Sequence, residues 1–187
     1  DGQAHHSLLT YESIRDRLIY LDGVAKTYAM TGWRLGWSVW PKPLYEAARK
    51  LAVNAHSCVN AATQWAGIAA LDGPQDCVAE MVAEFDRRRA IVIDGLNALP
   101  GVSCIAPKGA FYAFPSCEGL LGRRDADDAV IATDSDLALY LLRAAGVAIV
   151  PGSAFELPGH FRVSYAASDE DLEIAMARIA QACAALR

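Results

Sequence analysis

Apolar residues recur along this chain at two spacings, and the two spacings divide it into strands and helices. Arg17-Leu-Ile-Tyr-Leu-Asp22 and Leu35-Gly-Trp-Ser-Val-Trp40 are short apolar runs suited to buried strands, and Pro41 closes the second. Leu44–Val53 follows Pro41-Lys-Pro43 and begins a helix just after proline, which the first helical turn tolerates. Residues 54–60 form a polar loop, and Ala61–Leu71 a helix of small residues able to pack closely on its neighbours. Asp72-Gly-Pro74 marks the clearest boundary. Beyond it Val78, Met81, Val82, Phe85, Val92, Leu96 and Leu99 repeat at threes and fours, the stripe of a long amphipathic helix ended by Pro100-Gly101. Glu80, Glu84, Asp86, Arg87 and Arg88 form its charged face.

Shorter elements follow. Val102–Ile105 and Gly109–Phe114 flank a Pro-Lys-Gly turn and predict a hairpin-like strand pair, with the aromatics of the second strand in the core. Residues 116–134 are charged and aperiodic, which predicts an exposed loop. Asp134 or Ser135 caps a helix whose apolar side is Leu137, Leu141 and Leu142, and Gly146 ends it. Val147–Val150 predicts a strand running into the tight turn Pro151-Gly-Ser-Ala-Phe155. Phe161–Tyr165 is a second strand, with Arg162 on the face opposite Phe161 and Val163. Ser168-Asp-Glu-Asp171 starts the last helix as a capping box, and Leu172, Met176, Ile179, Cys183 and Leu186 are its buried stripe.

Composition narrows the function classes. With 187 residues, 53% hydrophobic and 21% charged, the chain suits a globular domain or a domain and a half. A net charge of −5 argues against nucleic acid as a partner. No apolar run approaches the roughly 18 residues of a membrane span, and the N-terminus lacks the layout of a signal peptide. Five widely spaced cysteines with no Cys-x-x-Cys pair point to free thiols in a reducing cytoplasm rather than a disulfide frame or zinc site. His5 and His6 lack a third ligand at helical spacing and read as part of a solvated connector, so no metal is expected. The tryptophans Trp33, Trp37, Trp40 and Trp65 allow either core packing or an interface, and core packing is the expectation.

The chemistry concentrates between the first two strands. Apolar runs on both sides should carry Lys26 and Arg34 toward the interior, where an ionised side chain is costly unless paired. A desolvated lysine loses its proton more readily, and the neutral amine forms Schiff bases with carbonyls. Arginine keeps its charge and offers a planar fork of donors to phosphate or carboxylate. Gly23-Val-Ala-Lys-Thr-Tyr-Ala-Met-Thr-Gly-Trp-Arg-Leu-Gly36 resembles the pyridoxal-phosphate attachment segment of class I, aspartate aminotransferase-like enzymes of fold type I. The resemblance implies that Lys26 carries pyridoxal 5'-phosphate covalently and that Arg34 binds its phosphate. At the position of Gly23, often serine in relatives, only backbone could contact that phosphate. Pro151–Phe155 resembles the family's Pro-Gly-Ser-x-Phe element. Phe161-Arg-Val-Ser-Tyr-Ala166 resembles the strand whose arginine grips the substrate α-carboxylate, here Arg162.

That resemblance covers nearly the whole chain but only the C-terminal half of the family, without the residues that hold the pyridine ring. A fragment is therefore expected. The fold class it implies is α/β: residues 1–73 as the C-terminal part of a mostly parallel, cofactor-binding large domain, and 74–187 as a small α+β C-terminal domain. The activity it implies is transfer of an amino group between an amino acid and a 2-oxo acid by a homodimer. Other fold type I lyases and decarboxylases, or a non-catalytic half, are the alternatives. In this family the loop holding Ser57 and Asn60 lies near the subunit interface, although both also read as ordinary turn residues.

Overall fold

The computed structural model describes residues 1–187, and the chain divides into two compact units, Asp1–Met81 and Val82–Arg187.

In the first unit, β1 (Tyr20–Gly23) and β2 (Gly36–Val39) pair antiparallel, with Tyr20 opposite Val39 and Gly23 opposite Gly36. At that glycine pair the backbones come too close for a side chain. A Cβ on Gly23 would lie 2.8 Å from the Leu35 carbonyl oxygen, and one on Gly36 would lie 3.0 Å from that of Asp22. The connection between the strands holds a single helical turn, α1 (Val24–Thr27), and a 3-10 turn at Thr31–Trp33. The Val24 amide, donating to the Leu35 carbonyl at 3.3 Å, ties its two ends together.

Helix α2 (Lys42–His56) starts with Pro43 in its first turn and runs three residues past the expected end. The Asn54 side chain explains the extension: it donates to the Lys50 carbonyl one turn back, at 2.7 Å, instead of breaking the helix. Helix α3 (Ala61–Asp72) is capped by Asn60, whose side chain accepts from the Thr63 amide at 3.3 Å. Its small residues serve the close packing expected of them, since a Cβ on Gly67 would fall 2.3 Å from Leu35 Cδ2.

Little of this unit is buried: Val24, Pro41, Thr63 and Gly67, with no residue of α2. The tryptophans are not core. Trp33, Trp37 and Trp65 are exposed and Trp40 half-buried, because a two-stranded sheet and two helices leave the sheet faces without a covering layer.

The second unit holds the hydrophobic core. Helix α4 (Asp76–Asn97) enters it with Val92, Ile93 and Leu96 buried, whereas Val82, placed by periodicity on the same stripe, is exposed. Helices α5 (Asp134–Ala145) and α6 (Asp169–Ala184) complete the layer. The whole predicted stripe of α6, Leu172 to Leu186, is buried, and Gly95 lets Met176 approach to where a Cβ would meet its Cγ at 2.7 Å. Beside these helices runs a three-stranded antiparallel sheet, β3 (Tyr112–Ala113), β5 (Phe161–Ser164) and β4 (Val150–Pro151) in that order across the sheet. Tyr112 lies opposite Ser164, and Val150 opposite Arg162.

Three expectations change here. Val102–Ile105 forms no strand, only a single bridge between Ser103 and Ser116. The Asn97 side chain takes both the amide and the carbonyl of Cys104, at 2.8 and 3.0 Å, so those groups need no strand partner. Residues 116–134 are not simply exposed: Cys117, Leu120 and Ile131 are buried, and the Gly122 and Ile131 amides bond within the segment. Finally, the cap of α5 is Thr133 in a reciprocal box with Asp136, and Asp134 is released for another purpose. Gly146, in the left-handed region at φ 65°, ends α5 as expected, with the Val147 amide bonding back to Leu141.

Candidate active site

The connection between β1 and β2 presents Lys26 and Arg34. Lys26 lies in α1, and α1 packs against the 3-10 turn whose C-cap is Arg34. Arg34 is held at φ 56°, a left-handed conformation uncommon for a side-chain-bearing residue, and its Nη1 donates to the Thr31 carbonyl at 3.0 Å. Arg34 lines a cavity of about 920 Å³ whose wall also includes Asp22, Trp33, Trp37, Ser57 and Asn60. Ser57 and Asn60 therefore share a surface with Arg34, and Asn60 also caps α3.

Two expectations about burial are corrected. Lys26 is exposed and is not part of the cavity wall, and every residue of β2 is exposed. The apolar runs do form strands, but two strands bury neither of their faces without a further layer, so they do not carry the lysine into an interior. Asp22 also stands on that wall. Its carboxylate accepts from the Tyr20 hydroxyl and from the Gly23 amide, and these bonds hold its pKa below the usual carboxylate range. The single-residue spacing of Tyr20 and Asp22 on one strand face was the available signal for that pair.

In the second unit, β5 alternates as predicted. Phe161 and Val163 are buried, while Arg162 is half-buried on the opposite face. The antiparallel register puts Tyr112 diagonally across from Arg162 on that face. Its ring lies under the guanidinium, with Cζ 4.4 Å from the centroid, and Phe155 contributes a second ring at 4.7 Å. The Arg162 side chain has neither an ion pair nor a hydrogen bond to an acceptor of the protein. Arg87, Arg88, Arg89 and Arg124 in the same unit, by contrast, are all paired with carboxylates. The sequence marks neither Tyr112 nor Phe155 as a site residue: the aromatics of 109–114 read as core, and only the register turns Tyr112 toward Arg162.

The turn carrying Phe155 is fixed from below. Asp134, 3% exposed, accepts from the Ser153 amide at 2.6 Å and from its neighbour Ser135 at 3.0 Å. No group of three or more His, Cys, Asp or Glu side chains is placed to hold a metal ion, and His5 and His6 are exposed. No helix is long and apolar enough to cross a membrane.

A profile of the family "Aminotransferase class I and II" matches residues 3–179. The chain is 46% identical over 170 residues to an aspartate aminotransferase of Rhizobium meliloti (strain 1021), covering 91% of this chain and 42% of that protein. It is 44% identical over 172 residues to a probable aspartate/prephenate aminotransferase of Rhizobium leguminosarum bv. phaseoli, covering 92% and 43%. The crystal structure of the aspartate aminotransferase from Rhizobium meliloti superposes with a TM-score of 0.97 at 43% identity, over 100% of this chain and 47% of that one. The chain belongs to the class I and II aminotransferase family, with the fold type I architecture of its structural neighbours. It spans about two-fifths of the length of the curated relatives it matches.

Proposed function

We propose that this chain is the C-terminal part of a pyridoxal-phosphate-dependent aminotransferase that moves an amino group between an amino acid and a 2-oxo acid. One observation carries the reading. Within a segment matched by the family, an amine and a guanidinium emerge from one short connection between two antiparallel strands, on turns that pack together. That donor set fits pyridoxal phosphate, which needs a primary amine for its aldehyde and a cationic fork for its phosphate. The cofactor when bound would supply the electron sink for the substrate carbanion.

The protein's share follows from its own groups. Lys26 would hold the aldehyde, and its Nζ, once released, would take the proton from the substrate α-carbon and return it as general base and acid. Arg34 would hold the phosphate with the donors not spent on Thr31. The Gly23 amide already donates to Asp22, so at that position it is the closeness of the backbones, rather than a ligand contact, that accounts for glycine. Arg162, unpaired and set against two rings, would take the α-carboxylate in a bidentate grip. The same reading assigns residues 1–73 to the cofactor-binding large domain and 74–187 to the small domain, and includes a homodimer in the cytoplasm.

The exposure of Lys26 favours a second statement about the chain by itself. A site open to water does not exclude solvent from the reacting groups, so the isolated polypeptide is expected to turn over poorly. A chimera tests the function directly. Residues 3–179 replace the matched segment of the Rhizobium meliloti aspartate aminotransferase, and amino transfer from aspartate is measured with and without Lys26→Ala. The expected result is transfer that the substitution lowers by at least about a thousandfold. Equal rates in the two chimeras would overturn the role of Lys26.

A further inference from the structure

The surroundings of Arg162 contain a device that neither the family match nor the sequence pattern assigns. A half-buried guanidinium ordinarily finds a carboxylate, yet this one rests on two aromatic rings and touches no acid. The rings come from different elements: Tyr112 from β3, one strand over, and Phe155 from the 3-10 turn that follows β4. Phe155 is 44% exposed, too open for a residue whose purpose is core packing. It is nevertheless held, by the edge of Phe114 at 5.9 Å and by the anchoring of its turn to the buried Asp134. Phe114 in turn stacks on His160 at 5.8 Å and 17°. The turn also admits no bulk at its start, since a Cβ on Gly152 would fall 2.3 Å from the Leu157 carbonyl oxygen.

We propose that Tyr112 and Phe155 are positioning residues that hold the flat faces of the Arg162 guanidinium, leaving its N–H edge free to meet a substrate carboxylate in plane. The inference rests on the reading of Arg162 as the carboxylate-binding residue and adds what keeps it ready. Arginine is a long side chain with much rotamer freedom, and a ligand that must first immobilise it loses affinity. Ring faces do that work without neutralising the charge, because the ring quadrupole attracts a cation while offering no acceptor to compete with a carboxylate. A carboxylate partner would also have fixed the side chain, but it would have filled the donors the substrate needs. Asp134 belongs to the device at one remove, through the Ser153 amide and the turn.

The test uses the full 187-residue chain labelled with nitrogen-15, read at the arginine Nε–Hε signals. The signal lost in Arg162→Lys identifies Arg162. In the unsubstituted protein it should lie upfield, shielded by the rings, and move saturably with acetate but not with chloride at equal ionic strength. Tyr112→Leu and Phe155→Leu should each reduce the upfield displacement and weaken the acetate response roughly three- to tenfold. Tyr112→Phe and Phe155→Tyr, which keep a ring, should preserve both. The methyl signals of Leu96 and Ile179 report that each variant remains folded. Leucine variants that stay folded and keep the native Hε position and acetate response would overturn the clamp while leaving Arg162 as a carboxylate site. An unsubstituted Arg162 that is ring-shifted but silent to acetate would overturn the carboxylate reading and the proposal with it.

Discussion

At the scale of single residues, two kinds of position stand out, one set by backbone closeness and the other by burial. Gly23 is extended, so its need for glycine comes from the neighbouring strand and not from its dihedral angles. Adding a methyl 2.8 Å from the Leu35 carbonyl forces the β1–β2 pair apart. Gly23→Ala should therefore destabilise the hairpin by about 1–3 kcal/mol, visible as faster amide exchange at Val24. The thiols separate by environment. Burial pushes Cys117 and Cys183 up to about 11, while Cys58 and Cys77 are exposed. With a thiol reagent at neutral pH, Cys58 and Cys77 should react first, and Cys117 and Cys183 only on unfolding. The motif from Gly23 to Gly36 made Lys26 and Arg34 legible in the sequence. What the motif did not contain was their accessibility, because that depends on how many strands lie beside β1 and β2.

Helices and strands were legible to different degrees. The stripes of α4, α5 and α6 come from local spacing, and burial follows them except at Val82 and Leu142, which the turn geometry leaves outside. Expected strands are lost or shortened where competing partners take the backbone groups: Asn97 for Cys104 in Val102–Ile105, and Leu141 for Val147 ahead of β4. Capping shows the same competition. Thr133 caps α5, and Asp134 turns instead to the Pro151–Phe155 turn. Asp134→Ala removes the buried carboxylate that accepts from the Ser153 and Ser135 amides, with an expected loss of about 1–3 kcal/mol in unfolding free energy by urea titration.

Charge joins α4 to α6. Asp169 accepts from Arg87 and Arg88, and these bonds hold its pKa below the ordinary carboxylate value; Glu84 is lowered likewise by Arg87. A carboxyl depressed in the folded state stabilises above its unfolded pKa and loses that contribution as pH falls through the folded one. Melting temperature should thus fall on acidification below the ordinary carboxylate range, and Asp169→Asn should flatten that part of the profile.

For the whole molecule, the two units differ in what they bury. The core of twenty-odd apolar side chains lies between Val92 and Leu186, whereas the first unit exposes Leu21, Trp33, Trp37, Leu51 and Trp65. Local stability follows buried apolar contact, so hydrogen exchange should protect α5, α6 and β5 by orders of magnitude more than β2 and α2. Periodicity could not show this imbalance. Each stripe looks alike in sequence, and only the count of layers around it decides whether it is covered.

The proposed function rests most on Lys26 being the amine that takes pyridoxal phosphate, with Arg34 recruiting the phosphate beside it. The direct measurement is to incubate the chain with limiting pyridoxal phosphate, reduce with borohydride and map the label by mass spectrometry. The chain has four lysines: Lys26, Lys42, Lys50 and Lys108. The account predicts label predominantly at Lys26, and less of it there in Arg34→Ala. Label spread evenly over the four lysines, or absent from Lys26, would contradict it.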